Sequence, residues 1–137
     1  MRLRILGAVA LIVSAAVHGY LWFDGVRNQS VGPMFLVNVV AGVVIAILLV
    51  RWDSWIPAFL TLGFGAATLG AFIIASTVGL LGVHTEWKGV AVFTAAASEI
   101  VCIVVGATLL LRARAFATGM APTQATTRAT TRGRHAS

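Results

Sequence analysis

Two side chains of this sequence could move a proton in an apolar setting. Glu99 stands in the run "KGVAVFTAAASEIVCIVVGATLLLRAR", Lys88 to Arg114, and His18 stands in an earlier apolar run from Leu3 to Phe23. A carboxyl and an imidazole are common partners in proton transfer. An acid in the middle of such a run is costly enough to count as a functional-site hypothesis by default. Ser14 lies one helical turn before His18, and Asn38 and Thr77 place an amide and a hydroxyl in two further apolar runs. These five residues form the expected buried polar set, whose plain alternative role is packing: a protonated Glu99 bonded to a neighbouring helix.

A second group lies in the polar stretch "GVHTEWKG", where His84 and Glu86 are the candidate outer-face ligands to join His18, with Met34 as a distant fourth. Bis-histidine haem ligation by His18 and His84 is geometrically conceivable. The helix-spaced histidine pairs that membrane cytochromes usually carry are missing. The ligands are too few for a closed metal site, so neither a metal nor a cofactor is expected.

Other chemistries are excluded more firmly. Cys102 is the one cysteine, which rules out an intramolecular disulfide, a Cys-x-x-Cys zinc or redox motif, and thiol oxidoreductases that work through cysteine pairs. Gly63-x-Gly65 and Gly65-x4-Gly70 fall inside an apolar run, where they read as packing glycines rather than a phosphate loop. No nucleophile sits beside a base and no pair of acids is present, so the sequence points away from an enzyme.

The elements that must position these residues are set by composition. The chain has 137 residues, of which 59% are hydrophobic and 10% charged, against roughly 25% charged in an average soluble domain. Apolar runs at 3–23, 33–50, 56–81 and 89–111 each reach or nearly reach the ~20 residues a helix needs to cross a bilayer. The three prolines stand at Pro33, Pro57 and Pro122, the first two at helix starts where a missing N–H costs least. The expected fold is an all-α, integral membrane, antiparallel four-helix bundle.

Arg2, Arg4, Arg51, Arg112, Arg114, Arg128, Arg132 and Arg134 fall on one side of these spans, and Arg27 and Lys88 on the other. Positive charge collects on the cytoplasmic side, so both termini are expected there, in a plasma membrane. Trp22, Trp52, Trp55 and Trp87 all fall at span ends, where amphipathic rings favour the headgroup layer. The net charge of +6 sits at chain ends and in one short loop, a topological signal rather than a nucleic-acid surface. Residues 115–137, rich in Thr, Ala and Arg, are expected to form a disordered basic tail. Met1 to Ala15 also has the form of a signal peptide, with Val13-Ser14-Ala15 as a cleavage site; against this, the apolar stretch continues to an aromatic cluster at Tyr20, Trp22 and Phe23.

Small and polar residues mark the faces on which membrane helices pack. The stripes expected to face inward are Gly7, Leu11, Ser14 and His18; Asn38, Gly42 and Ala46; Gly63, Ala67, Gly70 and Thr77; and Ala91, Ala95, Ser98, Cys102 and Gly106. At 1.5 Å per residue, His18, Asn38 and Thr77 lie about 6 to 8 Å below the outer edge, and Ser14 and Glu99 about 13 to 15 Å down. If the first and fourth spans adjoin, Ser14 or His18 is the expected partner of Glu99, which should be largely neutral unless His18 or water reaches it.

The segments His18-x3-Trp22, "VGPMFLVNVVAGVV", "FGAATLGAF" and "GLLGVHTEW" together resemble a group of uncharacterised small four-span membrane proteins common in actinobacteria. The resemblance covers most of Leu3 to Leu111. It implies a fold and a membrane location, and no activity, cofactor or site residue. From these readings the expected role is that of a non-enzymatic accessory or scaffold subunit, or a homo-oligomer, with the lipid bilayer and another membrane protein or a second copy as partners. The alternative is a small transporter or proton-coupled carrier using Glu99 and His18.

Overall fold

The structure, a computed structural model, describes residues 1–119. Four helices carry almost all of it: α1 (Arg2–Phe23), α2 (Gly32–Arg51), α3 (Trp55–Thr77) and α4 (Val90–Gly119). All four are long and apolar enough to span a membrane. Their starts follow local chemistry. Pro33 stands in the first turn of α2, where its ring presets φ and its missing N–H is no loss. Ser54 caps α3, its hydroxyl oxygen accepting from the Ile56 N–H at 3.3 Å.

Two boundaries differ from the apolar runs. The third run continues to Leu81, yet α3 stops at Thr77, because Gly79 adopts φ +88° and its N–H turns back to the Ile74 carbonyl at 2.9 Å. The next residues close a tight turn, with Leu80 and Val83 exchanging backbone bonds at 2.8 and 2.9 Å and Gly82 at φ +79°. At the other end, α4 runs to Gly119, so residues 115–119 of the expected tail are helical. The rest of that tail, 120–137, lies outside the described residues.

The helices form a ring in chain order: α1 packs on α2 and α4, α3 packs on α4, and the α2–α3 seam is the sparsest of the four. Contacts between neighbours run in opposite senses along the two partners. On α1 and α2, the site of a Cβ on Gly7 would meet Leu49, while His18 lies against Phe35; on α3 and α4, Gly65 faces Glu99 and Cys102, while Gly106 faces Ala58 and Leu62.

The interior combines small and polar residues with a few larger apolar ones, Leu11, Ile45, Leu49 and Phe64 among them. Leu11, Leu49, Glu99, Thr61, Pro57, Cys102 and Ser14 are its largest fully buried side chains. Other large apolar side chains lie outside instead: Val37, Val40, Ile47, Phe59 and Val104 are each more than half exposed. Helices that are apolar all round suit a lipid surrounding.

Three of the four expected packing stripes face inward. The stripe on α3 does not: Gly63 and Gly70 would meet nothing within 4 Å, and Ala67 and Thr77 are exposed. The buried face of α3 is Pro57, Ala58, Thr61, Phe64, Gly65 and Ala75. Thr61 and Gly63 are two residues apart, about 200° round the helix, so the true face is almost opposite. The deciding contact is Gly65, where a Cβ would stand 2.5 Å from the Glu99 carbonyl oxygen.

At one end Arg4 ties α1 to the α2–α3 connection. Its guanidinium donates to the carbonyls of Leu49 (3.1 Å), Trp52 (2.9 Å) and Ser54 (3.2 Å), and reaches Asp53 at 2.8 Å. Asp53 is 98% exposed, so the carbonyl bonds, which use the planar fork of arginine donors, matter more than the ion pair. The arginine expected only to set orientation also closes this end of the bundle.

Candidate functional site

His18 on α1 and Glu99 on α4 face each other at the opposite end from Arg4, with Nε2 3.9 Å from Oε1. They are 8% and 2% exposed. The small residues around them allow this approach: Ala15, Ala95 and Ala96 are buried neighbours along the same helices, and Gly65 lets α3 close on the backbone of Glu99 itself.

The imidazole is oriented by its own helix. His18 Nδ1 lies 2.8 Å from the Ser14 carbonyl, which can only accept, so Nδ1 carries a hydrogen. Nε2 therefore presents a lone pair to Glu99 whenever the ring is neutral. A protonated Glu99 faces that lone pair; an ionised Glu99 faces a ring that holds the proton instead. In either form one proton serves Nε2 and Oε1. Their 3.9 Å separation is about 1 Å too long for a direct hydrogen bond. Ser14 Oγ makes only a 3.4 Å contact with Nδ1, so Ser14 orients the ring through its carbonyl, and His18 faces the acid.

The pair stands on the wall of a cavity of about 690 Å³ between the four helices, within the size range of small-molecule sites. Most of the wall is apolar, with Phe35, Phe64 and Phe72 among its residues. Phe35 packs on the His18 ring at 5.1 Å, and Phe72 meets Trp87 edge to face at 4.5 Å.

Asn38 shares this wall. Its Nδ2 donates to Thr68 Oγ1 at 2.9 Å, and that hydroxyl donates to the Phe64 carbonyl at 2.8 Å. The other amide atom, Asn38 Oδ1, is buried without a hydrogen-bond partner among the described residues. A buried acceptor left so costs about 1 to 3 kcal/mol, and such a group in a native structure needs a reason.

Thr77 is not part of this layer. It is exposed and donates to the Ile73 carbonyl of its own helix at 2.7 Å. Its expected place belongs to Thr68, which the sequence reading missed. Thr61, Phe64, Gly65 and Thr68 recur at helical spacing, a pattern that could have revealed it.

His84 and Glu86 lie in the connection over one end of the cavity, both largely exposed. His84 packs against Gly79, whose added Cβ would stand 2.8 Å from Nε2. It does not complete a ligand set with His18, whose two ring nitrogens are directed at Ser14 and Glu99. Among the described residues no three His, Cys, Asp or Glu side chains come together as a metal site.

Comparison with known proteins adds nothing to this geometry: no family model matches the chain, and neither does a curated protein or a solved structure.

Proposed function

We propose that this chain is a multi-pass membrane protein, without enzymatic activity, that binds a small and largely apolar molecule carrying a hydroxyl group between its helices. The observation that carries the reading is the meeting of the His18–Glu99 pair and the unpartnered Asn38 Oδ1 on one apolar wall. A hydroxyl oxygen about 2.8 Å from both Nε2 and Oε1 would close their gap, donating to one and accepting from the other. Asn38 Oδ1 offers a further acceptor on the same wall.

In this reading the four helices cross the plasma membrane antiparallel with both termini cytoplasmic, so that Arg4 faces the cytoplasm and His84 the outside. The eight-to-two division of basic residues supports that orientation. The likeness to small four-span actinobacterial proteins belongs to the same proposal. Maleimide labelling of single cysteines at positions 2 and 118, in a Cys102→Ser background, should modify both from the cytoplasmic side only. Labelling of the two from opposite faces would overturn the orientation.

Binding fits the bundle better than alternating-access transport, because transport sites commonly use broken helices and the four here are continuous. Gly63, Ala67 and Gly70 on the outside of α3 leave a small-residue face of the kind membrane helices use to associate. A binding role as an accessory subunit beside another membrane protein, or a second copy, is consistent with it.

The binding test uses para-nonylphenol against nonylbenzene, which differs by the hydroxyl alone. Native mass spectrometry of the detergent-solubilised protein should show a preference of about tenfold or more for the phenol, equivalent to about 1.4 kcal/mol. In Glu99→Leu the preference should fall to about one. Equal binding of the two probes by the parent protein would discard the reading.

A further inference from the structure

The cavity has one end crossed by hydrogen-bonded connections and one side left thin. Over the His84 end, the Ser30 hydroxyl donates to the Leu81 carbonyl at 2.7 Å, and the Thr85 N–H donates to the Ala75 carbonyl at 3.1 Å. These bonds tie the α3–α4 connection to the α1–α2 connection and back onto α3. Along the side, α2 and α3 touch least of all neighbouring helices. Met34 and Val37 on α2 and Ala67 on α3 line the cavity and are also exposed on the outer surface of the bundle. The interior therefore meets the outside at a seam lined by small or flexible apolar side chains. In a bilayer that seam opens onto acyl chains.

Depth restricts what can enter. Asn38 is six residues into α2, about 9 Å from its start; His18 is five residues before the end of α1, about 8 Å; Glu99 is nine residues into α4, about 14 Å. All three lie below the headgroup layer of a membrane spanned by these helices. A phosphate drawn to that depth would lose its water and face the Glu99 carboxyl. A neutral hydroxyl meets neither obstacle.

We propose that the ligand is a single-headed neutral amphipath dissolved in the bilayer, of the long-chain alcohol or alkylphenol class. Its hydroxyl lies between His18 and Glu99, and its chain leaves through the α2–α3 seam into the lipid. This rests on the binding reading above and adds the class of ligand and its direction. Phospholipids, with a charged head that stays at the interface, are excluded from the site.

The test is photolabelling of the full chain in liposomes with a para-nonylphenol analogue carrying a diazirine at the end of its chain, followed by peptide mapping. Site-specific adducts are those that excess unlabelled nonylphenol removes, by about tenfold at tenfold excess. They are expected within 34–41 of α2 and 67–75 of α3, and extra phosphatidylglycerol should leave their yield unchanged. Competable adducts confined to the 78–89 connection would overturn the seam while leaving the binding reading standing. Displacement by phosphatidylglycerol would overturn the ligand class. Adducts that nonylbenzene removes as well as nonylphenol does would overturn both this inference and the reading beneath it.

Discussion

Gly106→Leu should destabilise the bundle by about 3 kcal/mol, the upper part of the range for overpacking a close contact. A Cβ at position 106 would stand 2.6 Å from the Leu62 nitrogen and 2.9 Å from the Ala58 carbonyl oxygen. Both obstacles are backbone, so no rotamer change can relieve them; α3 and α4 must separate, and the contacts around Gly65 separate with them. Gly63→Ala is the control. Nothing lies within 4 Å of an added Cβ there, and alanine favours a helix over glycine by up to about 1 kcal/mol, so this variant should match or slightly exceed the parent. Reversible unfolding in mixed detergent, followed by circular dichroism, measures both. A tolerant Gly106 together with a sensitive Gly63 would mean that α3 is turned the other way.

The second large effect concerns the facing acid and imidazole. His18→Leu leaves the Glu99 carboxyl against carbon, and Glu99→Leu leaves Nε2 without its neighbour. Each single change should cost about 2 kcal/mol, the penalty for a buried polar group that loses its partner. The double variant His18→Leu/Glu99→Leu should return to within about 1 kcal/mol of the parent, since replacing both members of a buried pair by apolar groups is often neutral or better. The coupling between the sites should therefore be about 2 kcal/mol or more. Simple addition of the two losses would show that each group answers to a different partner, and the pairing would be wrong. The same double variant separates stability from function: it should stay folded and lose its preference for nonylphenol over nonylbenzene.

How much of the site was legible varies with the residue. Glu99 could be turned inward from sequence because Ala95, Ser98, Cys102 and Gly106 form an unbroken small-residue stripe beside it, and the structure buries all four. Choosing between Ser14 and His18 as its neighbour was beyond the sequence, since both lie on one face of α1. Packing decided: the Ser14 carbonyl holds one ring nitrogen and turns the other toward α4. Asn38 lies on the cavity wall bonded to Thr68, while Thr77 lies outside. Both threonines are at helical spacings from small residues, and only the rotation of α3 selects between them.

The sequence alone determined that there are four helices of membrane-spanning length, about where each begins, and which faces of α1, α2 and α4 carry small residues. Run length, proline position and glycine spacing act within one segment, so they need no partner to be read. The tertiary structure alone decided how α3 is turned, where it stops, which groups meet across the bundle, and that a cavity lies beside them. A helix apolar on every side carries little hydrophobic preference for one rotation over another. Its setting comes from the one face where two backbones can touch, here Gly65 and Gly106 between α3 and α4, and that fit exists only once both helices are in place.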